Sequence, residues 1–248
     1  MNKKTKQSKQ EKFVLYLDIM GFKERVSTTP IDDLEEKLRS FKTKSDQLKP
    51  LLMAGDTGKT LMNMAQFSDS IVLVTQKDTK NDLNRISKAA VILMQIGMKT
   101  GFALRGAIAK GEMVFDVENQ LFFGKALVDA YLLEEELSYY GIVFHSSMEK
   151  TIDDIRTKNS KSNTESKSNT NIVMYLNPND KQKYLPIDEL DVPLKKGKSK
   201  HYHIAWYNLD DKLAKKDIRD EARKWLKDLR TTVSGNPRVY LDNTISLL

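Results

Sequence analysis

The 248-residue sequence has no cysteine and no long apolar run. Without cysteine there is no disulfide framework and no thiolate metal site, and a reducing compartment is permitted. No apolar run reaches the roughly 18 residues that a membrane-spanning helix needs. The lysine-rich N-terminus lacks the apolar segment of a signal peptide. These absences predict a cytoplasmic protein with no membrane partner.

The net charge of +7 is concentrated in two polar stretches. Residues 1–12 contribute +4 and residues 156–168 contribute +3, which accounts for the whole excess. Both are rich in polar residues and lack periodic apolar content, as disordered segments do. We therefore predict a disordered basic tail over residues 1–12 and one domain over residues 13–248, with a flexible insertion at about 156–171. No basic stripe interleaved with aromatics occurs elsewhere, so no nucleic-acid partner is expected.

The first apolar run extends from Phe13 to Ile19 and contains one charged residue, Asp18. Leu15, Leu17 and Ile19 alternate with Val14 and Tyr16, which predicts a central strand that is buried on both faces. A carboxylate near the end of such a strand is costly to bury, and a bound cation is the usual compensation. Gly21 then permits a tight turn before a helical pattern that begins at Phe22, an arrangement that suits a metal-bound phosphate. The alternative is that Asp18 caps this helix, and the stretch alone does not decide between them.

A second aspartate, Asp69, lies between two strand-like runs at residues 61–67 and 71–75. This pattern predicts a β-hairpin with Asp69 at its tip, although turn aspartates are common for purely structural reasons. Amphipathic helices are predicted over residues 31–52, 81–100, 124–140 and 210–229, with strands between them. Strands, hairpins and helices mixed in this way predict an α+β fold with a mostly antiparallel central sheet.

Several other polar residues have simpler interpretations. The run Glu134–Glu136 is interpreted as a solvated helix face, and Tyr131 as a core residue. His201 and His203 share one face of a predicted strand, but no third ligand is apparent, so solvent exposure is favoured over a metal site.

Four motifs together resemble the class III nucleotidyl cyclases. Asp18-Ile19-Met20-Gly21-Phe22 is similar to the Asp-Ile-x-Gly-Phe motif that opens this family, and Asp69 lies where the family places its second metal-binding aspartate. The segment Arg105–Gly111 resembles the family's Arg-x-Gly-Ile-x-x-Gly strand. Gly124, Leu127 and Ala130 match the start of the helix that follows. The resemblance covers residues 13–207 and implies a class III cyclase-like fold with a ferredoxin-like core.

The departures from this pattern indicate a branch of the family. The positions of the two purine-reading residues are Ala65 and Leu121, and those of the transition-state Asn and Arg are Val128 and Leu132. The segments around Phe67–Ile71, Arg105–Ile108 and Gly124–Tyr131 instead look like the pyrimidine cyclases of Pycsar antiphage systems. The resemblance thus implies a uridylate or cytidylate cyclase that makes cUMP or cCMP in antiviral defence, with UTP slightly favoured.

The implied chemistry is two-metal catalysis on a nucleoside triphosphate. Two divalent ions align the 3′-oxygen with the α-phosphorus and neutralise the pyrophosphate that leaves. Asp18, Asp69 and the Ile19 carbonyl would ligate them, and oxygen-only ligation suits Mg²⁺ or Mn²⁺. The amides of Met20, Gly21 and Phe22 would bind the β- and γ-phosphates.

Arg105, Lys196 and Lys198 are candidate phosphate-neutralising residues, although Arg105 is equally consistent with a structural ion pair. The resemblance also implies a homodimer with its sites at the interface. The metal half and the remaining pocket are expected to lie too far apart in one chain to share a nucleotide. An adenylate or guanylate cyclase with unusual base contacts, and a degenerate cyclase-fold nucleotide-binding module, remain as alternatives.

Overall fold

A computed structural model describes residues 10–54, 58–162, 172–177, 180–207 and 218–248, with side chains described outside 156–186. The strands are β1 (Glu11–Ile19), β2 (Met53–Ala54), β3 (Lys59–Thr60), β4 (Met62–Phe67), β5 (Ser70–Thr75), β6 (Leu104–Glu112), β7 (Val114–Asp116), β8 (Leu121–Phe123), β9 (Ile142–Phe144), β10 (Ile172–Asn177), β11 (Asp180–Leu194) and β12 (Gly197–Ile204). The helices are α1 (Phe22–Thr28), α2 (Ile31–Ser45), α3 (Lys49–Leu52), α4 (Lys80–Thr100), α5 (Lys125–Glu136), α6 (Glu149–Ser162), α7 (Ile218–Arg230) and α8 (Asn236–Leu247).

An eight-stranded sheet organises the described residues, in the order β10-β11-β12-β9-β6-β1-β5-β4. The predicted central position of the first strand is confirmed, because β1 pairs antiparallel with both β5 and β6. The predicted hairpin is also confirmed, with β4 and β5 joined by Ser68 and Asp69. The sheet is mostly antiparallel, as expected, but β6 and β9 are parallel. The fold is therefore mixed α/β.

Helices α2 and α4 cover one face of the sheet. The alternate side chains Phe13, Leu15, Leu17 and Ile19 of β1 point to this face and are buried in one large cluster with both helices. Helix α4 begins at an N-cap in which the Thr79 side chain accepts a hydrogen bond from the Asp82 amide, which satisfies one of the free donors at a helix start.

Helix α5 covers the opposite face, above β1 and β6. Small side chains make this close packing possible, since Ala107 and Ala109 of β6 are buried against Ala130 of α5. The face carries the other alternate residues of β1, which include Tyr16 and Asp18. Helix α5 therefore lies over the side of the sheet that holds the first candidate aspartate.

Several elements of the structure differ from the predicted secondary structure. The 15-residue strand β11 is not predicted by the sequence pattern. Strand β1 begins at Glu11, inside the stretch expected to be a disordered tail, and α6 continues through residues 156–162 of the expected flexible insertion. Helix α5 ends at Glu136, because the chain turns extended at Leu137. The expectations for residues 1–9 and 163–171 lie outside the described residues.

Candidate active site

The two candidate aspartates lie at the same end of neighbouring strands. Asp18 is the penultimate residue of β1 and is paired in register with Ser70 of β5 and Arg105 of β6. Asp69 occupies the β4–β5 turn, where its carbonyl accepts a hydrogen bond of 2.9 Å from the Ile19 amide. Because Ile19 follows Asp18 directly, this bond fixes the turn beside the end of β1.

The two carboxyl groups interact electrostatically. Partial burial, and then the charge on Asp69, raise the pKa of Asp18 to about 6, while the Arg105 guanidinium acts in the opposite direction. Burial and the second carboxylate thus outweigh the Arg105 charge at Asp18, and a bound divalent cation would relieve this excess of negative charge.

The turn after β1 shows whether Asp18 caps helix α1. The N-cap of α1 is Gly21, with a left-handed φ of 71°, and no side chain caps the helix by a hydrogen bond. Asp18 is therefore not the cap. The Met20 amide donates to the Ala103 carbonyl at 2.9 Å, so it is engaged within the protein and not directed at a phosphate. Of the three predicted phosphate-binding amides, those of Gly21 and Phe22 remain candidates.

Arg105 is a structural ion-pair residue in this structure. Its side chain is buried, its Nε donates to Glu134 Oε1 at 2.5 Å and its Nη1 donates to the Leu137 carbonyl at 2.8 Å. The guanidinium also lies 5.6 Å from the ring centroid of Tyr240 in α8. Of the two interpretations that the sequence leaves open, this geometry favours the ion pair over a phosphate contact.

Glu134 is the site residue that sequence reasoning misses. Its local sequence is interpreted as a solvated helix face, but Glu134 is only 2% exposed. Burial raises the pKa of its carboxyl to about 7; Arg105 opposes this shift, and the charge on Asp18 adds to it. The available signal is its spacing, because Glu134 lies four residues after Ala130 and so shares the sheet-facing side of α5.

The predicted lysines lie on the β11–β12 hairpin. Lys196 is exposed in the turn, and Lys198 is exposed at the start of β12. The adjacent Lys195 amide donates to the Glu136 carbonyl at 2.8 Å, and Leu194 forms a bridge with Leu137. This turn therefore packs against the end of α5 that carries Glu134, rather than far across the sheet.

The positions that match the purine-reading and transition-state residues lie on three different elements. Ala65 lies in β4, paired with Val72 of β5. Leu121 lies in the separate β7–β8 ribbon, and Val128 and Leu132 project from the outer face of α5, where each is about half exposed. Tyr131, predicted to be core, is 39% exposed and packs edge-on against Tyr16 with centroids 5.4 Å apart. This stretch of chain therefore presents an exposed apolar surface.

The two histidines of β12 differ in environment. His203 is 1% exposed, which contradicts the expected solvent exposure, and its Nε2 has no hydrogen-bond partner among the described residues. Burial lowers the pKa of His203 to about 4. Within the described ranges, no group of three or more His, Asp or Glu side chains is placed to hold a metal ion.

The carboxylate pair nevertheless fits a divalent cation that is completed by other oxygens. Asp18 and Asp69 supply hard oxygen donors, and Mg²⁺ and Mn²⁺ are commonly held by one or two carboxylates together with water and substrate phosphates. The charge of Arg105 is already matched by Glu134. The pair therefore remains available to a cation.

Comparison with known proteins gives little further guidance. No family model matches the sequence, and no curated protein matches it. Among solved structures, the chain is similar to a class III adenylyl cyclase-like ATP-binding protein from Pseudomonas aeruginosa, with a TM-score of 0.37 and 13% identity. The match covers 61% of this chain and 37% of that chain, and similarity at this level carries no argument about function. No helix in the described part of the chain has the length and apolar character to cross a bilayer.

Proposed function

We propose that this protein is a nucleotidyl cyclase that converts a pyrimidine nucleoside triphosphate to its 3′,5′-cyclic monophosphate and diphosphate. The observation that supports the proposal is the carboxylate pair of Asp18 and Asp69 at one end of adjacent strands, with the neighbouring guanidinium engaged by Glu134. The motif resemblance at these positions supplies the reaction class.

In this proposal, Asp18 and Asp69 hold two divalent ions, Mn²⁺ or Mg²⁺, with the Ile19 carbonyl as a further candidate ligand. The ions would activate the 3′-hydroxyl and neutralise charge on the triphosphate. The chain's own contribution is to fix both carboxylates on rigid elements, since one lies in a central strand and the other in a two-residue turn. The amides of Gly21 and Phe22, with Lys196 and Lys198, would contact the phosphates.

The proposed preference for pyrimidines rests on side-chain chemistry. Ala65 and Leu121 offer no hydrogen bonds to a purine edge, and a polar edge without partners is strongly disfavoured in a desolvated pocket. We favour UTP over CTP. From the resemblance of the motifs to the Pycsar cyclases, we propose that the product is a second messenger in antiphage defence and that it is made in the cytoplasm.

The proposed homodimer needs a different justification from the one that the sequence suggests. Arg105 is the direct cross-strand neighbour of Asp18, and α5 packs on β1, so these elements are not too distant to share a site and that premise is wrong. What supports a second copy is the exposed apolar surface, which we call the α5 surface. It comprises Leu121, Phe123, Val128, Tyr131 and Leu132. A patch of this kind usually marks an interaction site.

The function can be tested by incubating the purified protein separately with UTP, CTP, ATP and GTP, in Mn²⁺ and in Mg²⁺, and analysing the products by liquid chromatography and mass spectrometry. The proposal predicts a cyclic pyrimidine nucleotide and diphosphate. Faster turnover of ATP or GTP under matched conditions would show an adenylate or guanylate cyclase instead. Nucleotide binding without any cyclic product would indicate a degenerate binding module.

A further inference from the structure

Asp18 and Arg105 face each other across the β1–β6 pairing. They are paired in register, so their side chains lie on the same face of the sheet, and their Cα atoms are separated by about 4.5–5.5 Å in such a pair. The Arg105 charge already acts on the Asp18 carboxyl. An arginine placed in this way would normally bind the carboxylate through its two-pronged donor set.

The structure directs this guanidinium elsewhere. It donates to Glu134 at 2.5 Å and to the Leu137 carbonyl at 2.8 Å. The second acceptor is available because it lies just beyond the last turn of α5, where carbonyl groups lack helical partners. Tyr240 of α8 covers the guanidinium and is stacked on Tyr140, with ring centroids 6.1 Å apart.

We infer that Glu134 is a positioning residue that holds Arg105 away from Asp18, so that the Asp18 carboxylate stays free to bind a divalent cation. The inference rests on the proposed function, because it assumes that Asp18 and Asp69 bind metal. In this role Glu134 does not contact the metal and acts only through Arg105.

The physical reason is the high free energy of a buried, unpaired charge. When Glu134 loses its charge, the buried guanidinium keeps two neutral acceptors, the Leu137 carbonyl at 2.8 Å and the Tyr240 hydroxyl at 3.5 Å. Neither acceptor balances its charge, and a buried charge without a counterion is strongly destabilised unless it finds another anion. The Asp18 carboxylate faces Arg105 in register across the β1–β6 pair. An Asp18–Arg105 pair would occupy the oxygens that the cation needs, so metal and arginine would compete for one carboxylate.

The test is a Mn²⁺ titration of the full-length protein, followed by electron paramagnetic resonance of the free ion. The variants are Glu134→Gln, the double variant Glu134→Gln with Arg105→Gln, and Glu136→Gln as a control. The control removes the same charge from an exposed position two residues along α5. Changes to groups behind a metal ligand typically weaken affinity by about 10–100-fold, and we expect Glu134→Gln to fall in this range. The Mn²⁺ affinity of the double variant should return to within about threefold of the wild-type value, and that of the control should equal the wild-type value.

The double variant separates this role from simple packing. If Glu134 only stabilised α5, removing Arg105 as well would not restore Mn²⁺ binding, and a double variant as weak as the single one would overturn the inference. So would wild-type affinity in Glu134→Gln. A wild-type protein that binds no Mn²⁺ would instead refute the proposed function and, with it, the premise of the inference. If Glu134→Gln does not fold, as judged by circular dichroism, Glu134→Asp with the same Arg105→Gln partner gives the comparison. The shorter aspartate keeps the negative charge but holds it farther from the guanidinium. Adding Arg105→Gln must again restore the Mn²⁺ affinity.

Discussion

Acidification should destabilise the protein through His203. This imidazole is 1% exposed, with Asp188 as its cross-strand partner on β11 and the Tyr207 ring 6.3 Å away. Burial lowers the pKa of His203 from 6.5 to about 4, so the folded state keeps it neutral while the unfolded chain takes up a proton. Its contribution to stability is therefore fully present above pH 6.5 and is lost as the pH falls towards 4. Linkage gives a loss of about 2 kcal/mol at pH 5 and about 3 kcal/mol below pH 4.

The assay is urea unfolding of wild type and His203→Phe at pH 7.5 and pH 5.0, followed by circular dichroism. Phenylalanine fills a similar volume and does not titrate, so the contributions of other titrating groups cancel in the difference between the two proteins. Between pH 7.5 and pH 5.0, the free energy of unfolding of wild type should fall by about 2 kcal/mol more than that of the variant. An equal difference at both pH values would refute the reasoning, because it would show that His203 titrates alike in the folded and unfolded states.

Two further predictions concern packing and assembly. A Cβ at Gly106 would lie 2.4 Å from the Tyr16 carbonyl oxygen, whereas one at Gly111 on the same strand would meet nothing closer than 3.4 Å. Gly106→Ala should therefore lower the free energy of unfolding, measured in urea titrations, by about 1–3 kcal/mol. The control Gly111→Ala should be tolerated. Equal effects of the two substitutions would contradict the close approach of β1 to Gly106. Leu132→Glu, on the α5 surface, should shift the protein towards monomer in sedimentation velocity and reduce product formation. Val26→Glu, on a comparably exposed residue of α1, should do neither, and a wild-type protein that is fully active as a monomer would exclude the dimer.

Elements with a strong local pattern could be predicted from the sequence. The apolar run from Phe13 to Leu17 has apolar residues on both strand faces and is stable only in the middle of a sheet. Helix α4 combines a long apolar stripe with a cap at each end. Strand β11 could not be predicted in this way. It contains Pro186 and Pro193 among many charged residues, and its strand conformation depends on pairing with β10 and β12, which is a non-local interaction.

The candidate site could be predicted only in part, for the same reason. Asp18 stands out because it interrupts an apolar run, and Asp69 stands out because it lies between two strand-like runs. Glu134 does not, since a run of three glutamates has the composition of a solvated helix face. Only the placement of Arg105 beneath α5 makes Glu134 a buried partner. His203 likewise differs from His201 because it is paired on both sides, with Asp188 of β11 and Val143 of β9, and its local sequence carries no sign of this.

The proposed function requires Asp18 and Asp69 to act together as the metal-binding carboxylates of a cyclase. The most direct test compares cyclic nucleotide formation by wild type, Asp18→Asn, Asp69→Asn and the exposed α2 control Asp32→Asn, each in Mn²⁺ with the best of the four triphosphates. Circular dichroism confirms that each variant is folded. We expect a cyclic pyrimidine nucleotide from wild type and the control, and none above background from either site variant. Near-wild-type product from Asp18→Asn or Asp69→Asn would contradict it.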